Sequence, residues 1–244
     1  MNTALRATVA GGAAAGVGVV IYEGLYPTAQ GYGATVHREP GAGRRLALTF
    51  DDGPNPAHTP VLLELLARHQ AKATFFLIGE WAEREPDLVR AAVAAGHAIG
   101  NHTYSHPTMP AHRAEWIRGE LRRCRDAVEA SGERFSTIAG AALMRPPYGH
   151  RRPGTLRTVR AEGYVPVMWS ITGFDWRTHT TAQRITRRGL RAADGDIILL
   201  HDVSDLEPAA DRRRTIAGTE AILEHFMARD YAFVTVPELV GATR

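Results

Sequence analysis

Residues 46–54 read LALTFDDGP, and this stretch is the strongest guide to the fold. The apolar run 46–50 predicts a buried β-strand, and two adjacent carboxylates, Asp51 and Asp52, follow it at an Asp-Gly turn. In parallel α/β folds, catalytic side chains gather at the carboxyl ends of the strands. Two neighbouring carboxylates repel each other unless a cation lies between them or one of them is protonated. The stretch therefore predicts an α/β fold with a functional site at the end of this strand.

Short apolar runs and helical patterns alternate along the rest of the chain. Further strands are predicted at residues 73–78, 98–100, 143–144, 165–169, 196–200 and 233–236. Helical spacing of apolar residues occupies 60–69, 86–95, 113–130, 153–162, 182–193 and 212–228. Strands separated by helices of this length indicate right-handed βαβ units and a parallel sheet. Seven predicted strands favour a barrel over a small open sheet.

Composition and length indicate one globular domain with an N-terminal extension. The 244 residues are 44% hydrophobic and 23% charged, which is ordinary for a folded domain, and α/β barrels reach this size as one unit. The net charge of +3 is spread along the chain, and its densest basic group, residues 118–125, is interpreted as a solvated helix face. No nucleic-acid partner is expected. Cys124, the only cysteine, excludes an intramolecular disulfide and fits a helix packing position.

Residues 1–43 precede the predicted domain, which covers 44–244. The apolar run 7–22 consists mostly of Ala, Gly and Val and is shorter than the about 18 residues expected of a membrane-spanning helix. We interpret it as an uncleaved membrane anchor, with a signal peptide and a helix packed on the domain as alternatives. Residues 26–43 are predicted to be a linker. The expected location is the cell envelope, anchored or exported, with the cytoplasm as the alternative.

Two histidines follow the third predicted strand in the motif HTYSH. His102 and His106 are four residues apart, and on a helical turn this spacing places both imidazoles on one face. An isolated HxxxH pattern is a weak signal in a chain with 11 histidines. Together with the acidic pair, however, it predicts an Asp-His-His site that leaves coordination positions of a divalent ion open for water and substrate.

Three further polar clusters also follow predicted strands. Residues 145–149 read RPPYG, an Asp-Trp pair occupies 175–176, and the strand that starts at residue 196 ends in LLHD at 199–202. Taken singly, these clusters have structural explanations, such as a rigid Pro-Pro loop or a hydrogen-bonded histidine. The carboxyl ends of parallel strands lie at one edge of a sheet, so all five clusters are expected to converge on one face of the barrel.

The motifs TFDDGP, HTYSH, RPPYG, FDW and LLH have the order and approximate spacing of those in the polysaccharide deacetylases, the NodB-homology domain of carbohydrate esterase family 4. The chain resembles this family from about residue 44 to residue 240. The resemblance implies a distorted (β/α) barrel with its catalytic face at the C-terminal strand ends. It also implies a hydrolase of amide bonds that removes N-acetyl groups from N-acetylglucosamine in a polysaccharide or oligosaccharide, of the chitin-oligomer or peptidoglycan type.

The resemblance further implies roles for individual residues. Asp52, His102 and His106 resemble the metal ligands of the family, which most often hold zinc and also accept cobalt or other divalent ions. Asp51 resembles the catalytic base, which removes a proton from the water that attacks the amide carbonyl. Arg145 resembles the residue that orients this base through a charge-assisted hydrogen bond.

A second group of implied roles concerns the leaving group and the acetyl group. His201 is similar to the general acid of the family, with Asp175 holding its tautomer and raising its pKa. Trp176 and Leu199 resemble the walls of the acetyl pocket. The backbone N–H of Tyr148 resembles the donor to the oxyanion.

Some features leave alternatives open. Thr172 stands where many family members have a further acid, which puts the activity or its pH optimum in doubt. Asp202, next to His201, is a minor rival of Asp175 as its partner. His97 and six other histidines lack partners at ligand spacing and are predicted at the surface or at helix caps. An amidohydrolase of small non-sugar amides and a non-catalytic glycan-binding protein are the alternative functions.

Overall fold

The computed structural model describes residues 18, 20–203 and 211–241. Within these ranges the strands are β1 (Arg45–Asp51), β2 (Ala73–Leu77), β3 (Ala98–Asn101), β4 (Thr137–Ile138), β5 (Ala141–Met144), β6 (Tyr164–Pro166), β7 (Ile171–Thr172), β8 (Ile197–His201) and β9 (Ala232–Phe233). The helices after β1 are α1 (Thr59–Arg68), α2 (Gly79–Arg84), α3 (Pro86–Ala94), α4 (Ala114–Ala130), α5 (Pro153–Ala161), α6 (Ala182–Gly189), α7 (Arg213–Met227) and α8 (Val236–Gly241).

The sheet is mostly parallel and has the order β4-β5-β3-β2-β1-β8-β7, with β6 paired to β5 and β9 paired to β1. Only the β4–β5 pair is antiparallel among the described strands. One segment, residues 164–172, carries both β6 and β7, so it pairs with β5 at its start and with β8 at its end. The ladder is interrupted within this segment. The α/β fold is therefore confirmed, as a barrel-like sheet that does not close completely.

The interruption explains why the predicted strand 165–169 is wrong as a single strand. Val36 lies beside this segment, where its N–H donates to the carbonyl of Pro166 and its carbonyl accepts from the N–H of Met168. Two residues further along the chain, the backbone of Arg38 forms an isolated antiparallel β-bridge with that of Asp196. Residues 36–38 thus occupy space between β6 and β8, and this part of the predicted linker contributes hydrogen bonds to the domain.

The predicted strand 233–236 is also wrong beyond Phe233. The chain turns into α8 because Thr235 and Glu238 form a capping box: the N–H and hydroxyl of Thr235 donate to Glu238 Oε2 at 2.8 and 2.9 Å, and the N–H of Glu238 donates back to Thr235 Oγ1. Pro237 adds a residue that is favoured in the first turn of a helix. The Thr-x-x-Glu spacing was a sequence signal that the apolar pattern obscured.

Successive side chains of β1 point alternately into two apolar layers on opposite faces of the sheet. Leu46, Leu48 and Phe50 pack between the sheet and the helices, where the buried Cys124 of α4 also lies, as predicted. Ala47 packs on the opposite side with Leu199 of β8. Successive strand side chains point to opposite faces, so Thr49 and Asp51 share the inner side with Ala47. The first catalytic candidate is therefore directed into the mouth of the barrel by strand geometry.

Most of the predicted anchor, residues 7–17 and 19 of the run 7–22, lies outside the described residues. Residues 20–25 are helical, and Val20, Ile21 and Tyr22 expose about half of their surface or slightly more. No helix in the described ranges has the length and apolar character needed to cross a membrane.

His97 is buried beneath the sheet, so its predicted position at the surface is wrong. Its Nδ1 accepts a hydrogen bond from the N–H of Ala73 at 3.2 Å, and its ring meets Phe75 edge-on. Burial, together with the positive charge of Lys72, lowers the pKa of His97 to about 4. The neutral imidazole is thus the form that the folded protein accommodates.

This burial predicts a specific loss of stability in acid. The unfolded chain protonates His97 near its ordinary pKa of 6.5, whereas the folded protein does so only near 4. The neutral His97 therefore contributes fully to the free energy of unfolding above about pH 6.5. As the pH falls from 6.5 to 4, about 2 to 3 kcal/mol of this free energy is lost. In urea unfolding at several pH values, His97→Asn, which keeps an acceptor but cannot titrate, should show a shallower decline than the wild type. Parallel curves would contradict this assignment.

Candidate active site

The predicted convergence of the five clusters is seen at the carboxyl ends of the strands. Asp51 ends β1 and pairs in register with His201, which ends the neighbouring β8. His102 directly follows β3, Arg145 directly follows β5, and Asp175 lies three residues beyond β7. Side chains from strands that are distant in sequence are thus brought to one edge of the sheet.

Asp52, His102 and His106 form a compact group of ligand atoms. One ligand atom from each residue lies within 4.8 Å of the others, a spacing suited to a metal ion. Nε2 of His102 and Nε2 of His106 lie 3.4 and 3.3 Å from Oδ1 of Asp52. This oxygen is buried and accepts no well-formed hydrogen bond from the described residues. A buried carboxylate oxygen that faces two imidazole nitrogens fits a divalent cation, because one ion could be coordinated by the oxygen and both nitrogens.

The two histidines do not share a helical turn, so that part of the prediction is wrong. Thr103 and His106 have φ values of 69° and 56°, and the segment 102–106 is an irregular loop. Glu120 of α4 holds it: its Oε2 accepts hydrogen bonds from two backbone N–H groups and from the hydroxyl of Ser105, at 2.8 to 3.1 Å. Glu120 is buried rather than part of the solvated face predicted for residues 118–125. Its role depends on the tertiary fold.

The tautomer of His102 follows from its second ring nitrogen. Nδ1 lies 2.8 Å from the carbonyl oxygen of Arg145, and a carbonyl only accepts, so Nδ1 carries the proton and Nε2 presents its lone pair to the group. Burial by itself raises the pKa of Asp52, but its electrostatic interactions with the imidazoles of His102, His201 and His106 outweigh burial and hold that pKa below its ordinary value. Asp52 is therefore ionised, the state in which a carboxylate can bind a metal ion.

Asp51 is paired with a fully buried arginine. Nη1 of Arg145 donates to Asp51 Oδ1 at 2.6 Å and to Thr49 Oγ1 at 2.8 Å, while Nη2 donates to the carbonyl of Met168 at 2.9 Å and Nε to that of Val167 at 3.2 Å. Burial lowers the pKa of Arg145, and the charge of Asp51 opposes this shift. Because the guanidinium is held on all edges, it fixes the orientation of the Asp51 carboxylate. Thr49 is a member of this network that sequence reasoning missed.

His201, next to Asp51 across the β1–β8 pair, is paired with Asp175. Nδ1 of His201 lies 2.9 Å from Asp175 Oδ1, and the backbone N–H of His201 donates to Oδ2 at 2.8 Å. Burial alone would lower the pKa of His201, but the charge and hydrogen bond of Asp175 outweigh it and raise that pKa to about 9. The imidazole is thus protonated at neutral pH. Thr215 and Arg212 support Asp175 by donating to its carboxylate and its carbonyl, and neither was predicted.

Asp202 is not the partner of His201, because its carboxylate points towards α1. Its Oδ2 accepts from the hydroxyl of Thr59 at 2.6 Å, and burial raises its pKa to about 7. A Cβ on Gly53 would lie only 2.5 Å from the same oxygen, so glycine is required after the acidic pair.

The three residues predicted to contact substrate have different environments. The Trp176 ring stands edge-on to His201 at 5.2 Å and is 42% exposed, and the Tyr148 ring lies 4.5 Å from His106 and is 46% exposed. Leu199 is buried in the inner apolar layer below them. Thr172, in place of the additional acid, accepts a hydrogen bond from the N–H of Phe174 at 3.3 Å.

Two proteins of known activity resemble this chain over most of its length. A peptidoglycan-N-acetylglucosamine deacetylase of Bacillus cereus is 35% identical over 199 residues, which cover 80% of this chain and 87% of that protein. A chitooligosaccharide deacetylase of Azorhizobium caulinodans is 34% identical over 199 residues, which cover 78% and 91% of the two chains.

Solved structures and a family model agree with these relatives. A peptidoglycan N-acetylglucosamine deacetylase superposes with a TM-score of 0.75 at 31% identity, covering 85% of this chain and 92% of that one. A family 4 carbohydrate esterase from Streptomyces lividans, in complex with acetate, has a TM-score of 0.71 at 29% identity, covering 82% and 96%. The family model for polysaccharide deacetylase matches residues 38–167. This chain therefore belongs to the polysaccharide deacetylase family.

Proposed function

We propose that the protein is a metal-dependent deacetylase that removes N-acetyl groups from N-acetylglucosamine in a polysaccharide or oligosaccharide. One observation carries this proposal: the Asp52-His102-His106 group lies at the same end of the sheet as an acid held by an arginine and a histidine held by an acid. Amide hydrolysis needs a base for the attacking water and an acid for the departing amine. The site has one of each.

The base is Asp51. Its Oδ1 is engaged by Arg145, which leaves Oδ2 to accept a proton from the attacking water. Arg145 and Thr49 keep the carboxylate in place during the transfer, because both are themselves held by further hydrogen bonds. A divalent ion bound by Asp52, His102 and His106 supplies Lewis-acid chemistry for polarising the acetyl carbonyl.

The acid is His201. Nδ1 is engaged by Asp175, so the proton that can be transferred is on Nε2. The raised pKa of about 9 keeps this proton available at neutral pH. Water adds to the carbonyl carbon, the C–N bond breaks, and the proton from His201 goes to the nitrogen, which gives acetate and a free amino sugar.

The acetyl group is proposed to be bound by three residues. Trp176 and Leu199 form the walls for its methyl group, and the backbone N–H of Tyr148 donates to the developing oxyanion, an interaction worth about 2.7 to 4 kcal/mol in other enzymes. The position of the Trp176 ring beside His201 supports this assignment.

The metal is proposed to be zinc. Two imidazole nitrogens and one carboxylate oxygen suit Zn²⁺, and three protein ligands are typical of catalytic zinc sites. Cobalt is expected to substitute, because the ligand type and geometry suit both ions.

The proposed activity is tested by comparing substrates with the full chain. Protein stripped with a chelator and reloaded with zinc should contain one equivalent of metal and release acetate from N-acetylglucosamine oligomers and from peptidoglycan fragments. Small non-sugar amides are the comparison set. Hydrolysis of these amides alone would favour the amidohydrolase alternative, and glycan binding without hydrolysis would favour the binding-protein alternative.

The protein is further proposed to act in the cell envelope, attached to the membrane by its N-terminal segment. The exposed apolar side chains between residues 20 and 26 support this location, since contiguous exposed apolar surface is typical of a contact with membrane or protein. In cell fractionation, the full chain should sediment with membranes. A chain that starts at Gly24, which keeps the carbonyl bound by Arg151, should remain in the soluble fraction. Identical partitioning of the two chains would refute the attachment.

A further inference from the structure

A second concave surface lies beside the active site. It is a pocket of about 410 Å³ between the loop after β7 and helix α6. We call it the arginine pocket, because four of its lining residues are Arg177, Arg184, Arg187 and Arg188. The proposed reaction uses none of these side chains, so the pocket requires a separate explanation.

Among the described residues, no neighbouring acid neutralises the charges of the arginine pocket. None of its four arginines has a carboxylate within 4.0 Å in the described part of the chain. Several exposed arginines elsewhere are paired with acids, as in Arg84 with Glu80, Arg68 with Glu220 and Arg122 with Glu162. Unpaired positive charges that line one concave surface create a local potential that attracts anions.

The arginines are held in an orderly arrangement. The guanidinium groups of Arg177 and Arg188 lie over the ring of Phe174, 4.6 and 4.2 Å from its centroid. Arg187 and Arg188 follow Arg184 on α6 by three and four residues, so each of them is a neighbour of Arg184 on the helix surface. A guanidinium that rests on an aromatic ring keeps its N–H edges available, and these edges bind carboxylate or phosphate oxygens in pairs.

Aromatic rings connect the arginine pocket to the reaction centre. Phe174 contacts Trp176 edge-on at 5.0 Å, and Trp176 contacts His201 at 5.2 Å. The pocket therefore lies one ring beyond the exposed Trp176 at the rim of the active site. A glycan with its reacting sugar at His201 could extend to this surface with a neighbouring sugar or a substituent.

We propose that the arginine pocket is a subsite for an anionic group, a carboxylate or a phosphate, carried by the glycan substrate. It follows that the protein deacetylates an acidic glycan faster than a neutral one of the same length. This inference rests on the proposed deacetylase function and specifies its substrate class.

The test uses a pair of substrates that differ only in charge: an N-acetylglucosamine-containing oligosaccharide with free carboxylates, and the same compound with its carboxylates amidated. The variant is Arg184→Gln combined with Arg187→Gln, since both side chains are exposed and neither stacks on Phe174. We expect kcat/KM for the acidic substrate to fall by about three- to tenfold at low salt, as is typical of two partly exposed ion contacts. The value for the amidated substrate should stay within a factor of two.

Arg229→Gln is the matched control. Arg229 is an exposed arginine just beyond the C-terminal end of α7, about 20 Å from the N-terminal end of that helix, where Arg214 contacts Thr178. This variant should process both substrates like the wild type. Raising the salt concentration should slow the wild type on the acidic substrate alone.

A third substrate that carries phosphate in place of carboxylate distinguishes the two sources of charge. The pocket binds the anion of whichever substrate, carboxylate or phosphate, shows the larger fall in kcat/KM in the double variant. If kcat/KM of the double variant falls equally for charged and amidated substrates, or falls for neither, the inference is overturned while the deacetylase activity stays in place. Failure of the wild type to release acetate from any of the glycans would instead refute the proposed function.

Discussion

Replacing Asp51 by asparagine is expected to lower kcat by about 10²- to 10⁴-fold, the usual contribution of a general base, while the metal stays bound. Asparagine keeps the size of the side chain and an oxygen that can accept from Arg145, but it cannot take a proton from water. The three proposed metal ligands, Asp52, His102 and His106, are unchanged in this variant. Acetate release and metal content should be measured on the same preparation.

Asp52→Asn is the matched comparison for this prediction. The substitution removes the charge that faces both imidazoles at 3.3 to 3.4 Å, so stoichiometric metal should be lost along with activity. The two adjacent carboxylates are thus expected to have separable roles, one in proton transfer and the other in metal binding. Near-normal turnover in Asp51→Asn, or full metal occupancy in Asp52→Asn, would show that these roles are wrongly assigned.

Replacing Arg145 by methionine is expected to reduce both stability and activity. The variant leaves Asp51 buried without its ion-pair partner, and breaking a buried pair in this way costs about 3 to 5 kcal/mol. It also leaves Thr49 and two backbone carbonyls without the donors that Arg145 provides. The free energy of unfolding, from urea titration, and kcat/KM should therefore fall together.

Arg145→Lys separates charge from geometry. Lysine restores a positive charge but cannot donate along the several edges that the guanidinium uses, so it should recover part of the stability and little of the activity. The carbonyl of residue 145 still accepts from His102 in either variant, and metal binding should persist in both. Wild-type activity in the lysine variant would argue that only charge is needed at this position.

The adjacent acids reach one site because the strand ends between them. Neighbouring side chains on a regular strand point to opposite faces, and Asp51, the last residue of β1, points inward. Asp52 has a φ of 76°, a left-handed conformation that turns its side chain back towards His102 and His106. Asp51 consequently meets Arg145 from inside the barrel, while Asp52 meets the two histidines.

The sequence by itself determined the parallel α/β architecture and most of the side chains that meet at the site. Apolar runs mark β1, β3, β5 and β8, and each is followed by polar residues with catalytic chemistry. Carboxyl ends of parallel strands lie at one edge, so convergence follows from topology without knowledge of any contact. The pairing of Arg145 with Asp51 and of Asp175 with His201 was implied by family resemblance, and the geometry agrees with both.

Only the tertiary structure decided the features that depend on contacts between distant segments. Glu120 is buried because the loop 102–106 brings three donors to it, and His97 is buried where it accepts from the N–H of Ala73 and packs on the ring of Phe75. Val36 divides the predicted strand 165–169 by supplying hydrogen bonds from more than a hundred residues earlier in the chain. The arginine pocket likewise appears only when α6 packs beside the loop that carries Phe174. The spacing of apolar residues reports whether a segment prefers to be a helix or a strand. The features above depend instead on which segments become neighbours in the folded protein.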